Sequence, residues 1–392
     1  MGVPEILTVA GLLAGGLGVA LLGSVKLALA SRLKMDEARV GALISAFGLT
    51  TIPAFIVTGF LTDLAGKQPV IIGGSVLLAA SLIVLGAARN YWSALVGVVI
   101  LATAWSGLIC TVNPLALIVF GGPDKPEVYA TGLACFYFGV GALLTPLAVG
   151  FLLRRIGLTK GLLVLAGLLL IPAILGAIAD PATLVTPASP TAPDAAPEAA
   201  GMLTLLRDPF MWLCILTLLF YGPLEAATGA WTTTYLSDTG LSERAASGLL
   251  SVFWASYTAS RLITALSVAA FGLAKHKQSV LILAFGALAI LVLCGIVWGR
   301  GRRTAVVMII AAGLIFGPIF PSIMAVLLGH FPESLHGRAV GLLFAVGGIG
   351  TVTIPAAMGA YAKRTSVQRG FLIAVGSAVG LTIVSLILVL RG

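Results

Sequence analysis

Charge is what this chain has least of. Only 9% of its 392 residues are Asp, Glu, Lys or Arg, against about 25% in a soluble domain, too few to cover a soluble protein of this size. Hydrophobic residues make up 59% and the mean hydropathy is +1.12, so the chain reads as an integral membrane protein. Acidic residues are scarcer than basic ones, 14 against 23, for a net charge of +9. In a soluble protein that excess would suggest nucleic acid. Here the charges sit in short gaps between apolar runs and form no basic face that could follow phosphates, so no nucleic-acid partner is expected.

Other absences narrow the field further. There are three histidines, His276, His330 and His336, all falling at expected loops. The four cysteines, Cys110, Cys135, Cys214 and Cys294, lie inside apolar runs without metal-ligand spacing and read as packing residues. No Ser–His–Asp set, metal cluster or phosphate loop appears, so an enzyme is not expected, nor a metal or cofactor. The first residues, Met-Gly-Val-Pro-Glu, lack a cationic n-region and put Glu5 where one would stand, so the first apolar run is expected to stay as a helix.

Long apolar runs, by contrast, fill the chain. Stretches long enough to span a bilayer as helices fall near 5–30, 38–62, 68–88, 92–121, 127–153, 158–179, 208–237, 245–273, 278–298, 304–329, 337–362 and 369–390. That predicts an all-α membrane protein of twelve spans, with no room for a soluble domain. Residues 180–200 are different: five prolines and no apolar period predict a flexible linker. The expected organisation is a six-helix bundle over 1–179, a linker over 180–206 and a second six-helix bundle over 207–392.

An internal repeat supports the division. Gly132, Gly139, Gly141, Pro146 and Gly150 in the fifth run match Gly341, Gly348, Gly350, Pro355 and Gly359 in the eleventh, each 209 residues later. The fourth and tenth runs echo each other less closely. Between the second and third runs stands G-F-L-T-D-L-A-G-K-Q, Gly59 to Gln68. Its chemistry suits a gate: Asp63 can cap or pair with a neighbouring helix end, Gly66 permits a tight turn, and Lys67 supplies a charge partner.

Two parallel six-helix halves with this loop resemble the major facilitator superfamily of transporters. The loop resembles the superfamily's signature motif, with Leu64 where many members carry Arg. The resemblance implies alternating access, a site between the halves near the bilayer midplane, and a cytoplasmic position for the motif loop, with Gly59, Asp63, Gly66 and Lys67 as its gating residues. Within the superfamily, Thr111 to Pro114 (T-V-N-P), the seventh run F-Y-G-P-L-E-A-A-T-G-A-W-T-T-T-Y-L, and Phe253-Trp254 followed by Arg261 are similar to the fucose permease group of sugar–proton symporters. The acidic residues that group carries in helix 1 and four residues before the helix 4 Asn are missing; helix 1 holds Lys26 and the helix 4 position holds Ile109.

Three ionisable side chains lie well inside the spans: Lys26, Glu225 and Arg261. Each costs about 2.5–3.5 kcal/mol on insertion scales, which marks it as a functional candidate. Lys26 could instead snorkel to the interface, and Arg261 could brace a neighbouring helix. Glu225, too deep to snorkel, is the expected proton-coupling carboxylate. Asn113, Tyr137, Trp231, Trp254 and Tyr257 offer the flat faces and hydrogen-bonding groups a sugar site needs, with Lys26 and Arg261 as further substrate contacts; the aromatics would equally suit an interfacial belt or helix packing.

Sidedness is contested within the sequence. A cytoplasmic motif loop places seven Lys and Arg residues in inner loops and fourteen in outer ones, the reverse of the positive-inside rule. The motif ties a specific pattern to a specific loop and is followed here. The expectation is therefore a multi-pass, monomeric carrier of the cell inner membrane for a small polar organic solute, sugar-like by resemblance and proton-coupled. An organic-anion carrier or an exporter of drugs and amphiphiles is the alternative in transport. A non-transporting receptor or a lipid scramblase is the alternative outside it.

Overall fold

The computed structural model describes residues 2–122, 125–185, 198–272 and 277–391. Among them the fold is helical, with a lone bridge between Gly122 and Lys125 in place of any sheet. His276 and most of the proline-rich segment fall outside the described residues.

We number the spanning helices α1 (Val3–Leu33), α2 (Glu37–Ala65), α3 (Lys67–Ala87), α4 (Tyr91–Phe120), α5 (127–156), α6 (158–178), α7 (Pro209–Asp238), α8 (Glu243–Phe271), α9 (Gln278–Trp298), α10 (Arg302–His330), α11 (Glu333–Ala362) and α12 (Val367–Arg391). Helices α5 and α6 run on without a loop over 52 residues, about 78 Å at 1.5 Å per residue. That is far more than one ~30 Å hydrocarbon core needs. Gly157 divides them: its φ of 78° is left-handed backbone, where only glycine sits without strain. A Cβ on Gly161 would come 3.2 Å from Leu152 Cβ, so the chain turns back on itself there. Twelve passes result among the described residues, close to the expected spans.

The ends of the helices follow local chemistry. Asp36 caps α2 by accepting the Arg39 N–H at 2.8 Å, and Asn90 forms a capping box with Ser93 at the start of α4. Asp208 accepts the Phe210 N–H at 2.8 Å to open α7. Gly66, with φ 88°, links α2 to α3 in a single residue. A short helix, Glu198–Arg207, precedes α7 and is fastened to it by Trp212 Nε1 donating to Leu206 O at 2.8 Å.

The helices gather into two compact units. The first comprises residues 1–121, 134–198 and 331–345. Its core is a leucine-rich seam in which Leu21, Leu29, Leu78, Leu82, Leu101 and Leu162 have no exposed surface. The second comprises residues 122–133, 199–330 and 346–392, and Tyr221, Phe253, Phe316 and Phe371 are its largest fully buried side chains.

Glycine sets the closest helix crossings, as expected where no hydrophobic force presses helices together in lipid. In the first unit a Cβ on Gly141 (α5) would fall inside the shell of the Leu13 carbonyl oxygen on α1; in the second, a Cβ on Gly350 (α11) would do the same to Leu219 O on α7. The second matched pair behaves alike. Gly341 at the start of α11 abuts the Phe55 backbone of α2 in the first unit, and Gly132 at the start of α5 abuts Arg261 and Ala265 of α8 in the second. The sequence repeat is thus a repeat of crossings. Helix α11 also contains a π-helical turn, Leu343–Gly347, a local widening that recurs at functional sites.

Candidate transport site and gating loop

The second unit concentrates polar groups where α7 meets α8. Glu225 projects from α7 beneath Tyr221, one turn away on the same face. Its Oε2 accepts hydrogen bonds from Tyr221 Oη at 3.1 Å and Tyr257 Oη at 2.6 Å. The two phenol oxygens stand 2.6 Å apart. Arg261, one turn beyond Tyr257 on α8, donates from Nη2 to Tyr257 Oη at 2.6 Å and from Nε to Gly317 O at 3.3 Å, while its guanidinium carbon lies 4.2 Å from the Tyr257 ring centroid. Tyr257 therefore joins the carboxylate to the guanidinium through one hydroxyl. A phenol carries one proton and two acceptor positions, so Tyr257 can donate to Glu225 while accepting from Arg261, and the single Tyr221 proton goes either to Glu225 or to Tyr257.

This arrangement makes an intramembrane charge tolerable. Arg261, Tyr257 and Tyr221 are all at or below 5% exposure; Glu225 is half-buried. Charge-assisted bonds in such surroundings are stronger than in water.

Trp254 stands edge-on to Tyr257 at 5.4 Å and to Phe253 at 5.0 Å. Gly229 leaves room for the Trp254 ring, and Gly359 does the same for the half-buried Trp231. Five expected site residues, Trp231, Trp254, Tyr257, Arg261 and Glu225, thus belong to one unit, and three of them to one network. The other three belong to the first unit. Lys26 is half-buried on α1. Asn113 is buried, with Nδ2 donating to Ile109 O of its own helix at 2.9 Å. Tyr137 packs its ring near Phe120 and Phe136. Tyr221 was not foreseen, although a tyrosine four residues before a buried carboxylate is a readable helical pair.

The motif loop has its partners inside the first unit. Asp63 at the end of α2 accepts the N–H groups of Gly337 and Arg338 at 2.7 and 2.9 Å, and Arg338 Nε at 2.9 Å. It thereby serves the first turn of the α-helical stretch that opens at His336 within α11, where backbone donors have no partner within the helix and the dipole favours an anion. Both charged side chains are buried, 2% exposed for Asp63 and 7% for Arg338. Lys67 pairs with Glu333 at 2.5 Å rather than with Asp63. Neither Arg338 nor Glu333 is visible as a partner from sequence, since each lies more than 260 residues away. A cavity of about 240 Å³ lies against this loop, with Thr62, Asp63, Lys67, Glu333 and His336 on its walls.

His330 and His336 depart from the loop positions expected of them. His330 ends α10, stacked on Phe210 at 3.8 Å and 3.3 Å from Asp208. His336 is buried at a helix start within α11, its Nε2 2.8 Å from Phe331 O.

The fold agrees with what the chain resembles. The family model of the Major Facilitator Superfamily matches residues 7–299. The chain belongs to that superfamily, whose members are membrane transporters. A Saccharomyces cerevisiae protein, "Bypass of stop codon protein 6", is 31% identical over 174 residues, and the match spans 43% of this chain and about a third, 35%, of that protein. Among solved structures, the E. coli fucose:proton symporter superposes with a TM-score of 0.81 at 16% identity, covering 98% of both chains. The human organic anion transporter MFSD10 superposes with a TM-score of 0.72 at 17% identity, covering 97% of this chain and 98% of that one. At such identities the likeness is one of fold.

Proposed function

We propose that this chain is a proton-coupled secondary transporter of a small polar, sugar-like solute, working by alternating access between halves formed by residues 1–179 and 207–392. The observation that carries the reading is the Glu225–Tyr257–Arg261 network. It holds a carboxylate deep in a spanning helix, bonded to hydroxyls that can follow its proton, beside aromatic faces that suit a sugar ring. Asp63, Gly66 and Lys67 act as the gate, the clasp of Asp63 on α11 holding the closed side. The chain works as a monomer in the cell inner membrane.

The test is uptake into proteoliposomes with and without an imposed pH gradient, beside counterflow at equal pH. Glu225→Gln mimics the protonated carboxyl permanently. Counterflow should persist while gradient-driven accumulation is lost; a variant that still concentrates substrate would show that coupling lies elsewhere.

A second reading, an organic-anion carrier, is favoured by the burial of the Arg261 guanidinium and by the fold shared with an organic anion transporter. Thermal-shift screening of sugars against organic acids separates the two. A ligand at ten times its Kd stabilises by about 1.4 kcal/mol.

A further inference from the structure

Three helices of the first unit have ends that meet at one point, and an arginine ties them. Arg32, in the last turn of α1, donates from Nη1 to Gly86 O of α3 at 2.6 Å and to Thr159 Oγ1 of α6 at 2.9 Å. Thr159 Oγ1 itself donates to Gly86 O at 2.7 Å. Arginine has five N–H donors, and the two on Nη1 serve these partners. The edge formed by Nε and Nη2 takes part in no bond among the described residues. That edge is a planar fork that matches two oxygens of a phosphate, and Arg32 is exposed.

The surroundings are cationic. Arg89 stands three residues beyond Gly86, and Lys160 one beyond Thr159. Both are exposed, and none of the three cations is ion-paired among the described residues. The turns at this end, residues 32–39, 89–90 and 154–160, hold seven Lys and Arg against two acids, Asp36 and Glu37, and Asp36 already caps α2. The ends of spanning helices lie at headgroup depth. Trp92, the second residue of α4 and 70% exposed, is of a type that favours that layer.

The second unit shows that such a joint needs no charge. Helices α1 and α7 begin 206 residues apart, at Val3 and Pro209, so Asp238 stands in the place of Arg32. There a neutral amide meets the carbonyls that end α9: Gln368 Nε2 donates to Ile296 O at 3.0 Å and to Gly299 O at 2.9 Å. Tying helix ends together takes no cation, so the charge of Arg32 is left for an anion at headgroup depth.

We propose that Arg32, Arg89 and Lys160 seat the phosphate of an anionic phospholipid, of the phosphatidylglycerol class, against the ends of α1, α3 and α6. A zwitterionic headgroup would bring its own cation into a patch with a net positive charge, which favours the anionic one. Arg32 grips with its fork, and its two bonds already fix the side chain, so little freedom is lost on binding. Arg89 and Lys160 add charge. The seat serves whichever leaflet this end meets and whichever solute the chain carries.

The test is native mass spectrometry of the full chain in a non-ionic detergent, titrated separately with dioleoylphosphatidylglycerol and dioleoylphosphatidylcholine. The wild type should hold the first and discriminate against the second; equal affinity for the two overturns the seat. Arg89→Gln and Lys160→Gln touch none of the bonds at the joint. Each should weaken phosphatidylglycerol binding about fivefold, the effect of one cation beside an anionic headgroup. Arg32→Gln keeps an amide donor for Gly86 O, as Gln368 does for α9, but loses charge and fork together, and should weaken binding further. Should that variant fail to fold, the other two decide, and unchanged binding in both overturns the seat. Helices α3 and α9 begin 211 residues apart, at Lys67 and Gln278, so Arg300 is the counterpart of Arg89. Arg300→Gln should leave the affinity unchanged; an equal loss there would reduce the seat to diffuse attraction and overturn it. Inorganic phosphate is titrated alongside. Displacement of the lipid at matching concentration would make the free anion the ligand and overturn the lipid assignment.

Discussion

The starts of α5 and α11 are repeat equivalents, and they are held in different ways. At α11 the acceptor is a buried carboxylate: Asp63 takes the backbone donors of Gly337 and Arg338 and the Arg338 side chain as well. At α5 the acceptor is a neutral amide: Gln278 Oε1 of α9 takes the Val128 N–H at 2.7 Å, and its Nε2 donates to Glu127 at 2.5 Å. The task is the same, to satisfy first-turn N–H groups that no helix can satisfy for itself. One half performs it with a charge, the other with a dipole from a different helix. A charged clasp is strong when shut and costly to break, as suits a gate. An amide bridge is milder, as suits a joint that stays made.

Breaking the charged clasp should have the largest effect. Asp63→Ala removes three hydrogen bonds and the carboxylate facing a buried guanidinium. Loss of one member of a buried pair typically costs about 3–5 kcal/mol, and thermal unfolding of the purified variant should register it. Transport should fall while ligand binding survives.

Next come the crossings beside the clasps. Gly341→Ala drives a Cβ to 2.3 Å from the Phe55 backbone oxygen, whereas Gly132→Ala meets the Ala265 Cβ at 2.7 Å and no backbone atom nearer than 3.3 Å. Overpacking costs about 1–3 kcal/mol. Gly341→Ala is expected at the upper end and Gly132→Ala at the lower, as read by the difference in Tm. Equal losses would show that the two crossings are equivalent in tightness as well as position.

Breaking the amide bridge is milder. Gln278→Ala removes two hydrogen bonds, for about 1–3 kcal/mol, and should cost less than Asp63→Ala in the same assay. The reverse order would overturn the contrast drawn between the clasps. Smallest of all is Lys67→Met. Its pair with Glu333 is partly exposed, 9% and 27%, and such pairs contribute about 0–1 kcal/mol and fade with salt. The difference from wild type should vanish at high ionic strength.

Much of the architecture was legible because it is written locally. Apolar run length announces a spanning helix, and the five Gly/Pro matches between Gly132–Gly150 and Gly341–Gly359 announce two crossings made twice. Gly157 alone explains why α5 and α6 need no loop. The clasps were not legible. Asp63 offers a cap in the sequence, but which helix takes it depends on a residue 275 positions away. Helices α2 and α8 start 206 residues apart, at Glu37 and Glu243, so the counterpart of Asp63 is Ala269, and no repeat argument reaches Gln278. In the candidate transport site, Glu225 and Arg261 stood out because charge in an apolar run is conspicuous. Tyr221 did not, since a buried tyrosine looks like any other large apolar side chain until its hydroxyl is seen to point at the carboxylate.

The membership of the first unit has a consequence for how the protein is made. That unit includes residues 331–345, which leave the ribosome only after most of the chain. Until then α1 to α4 stand in the bilayer with the Phe55–Gly59 stretch of α2 uncovered and the Asp63 carboxylate without the N–H groups it will hold. Biosynthesis therefore ends by returning to where it began: the Asp63 clasp and the Gly341 crossing form only once residues 337–341 have been made, and a nascent chain arrested before Phe331 holds neither.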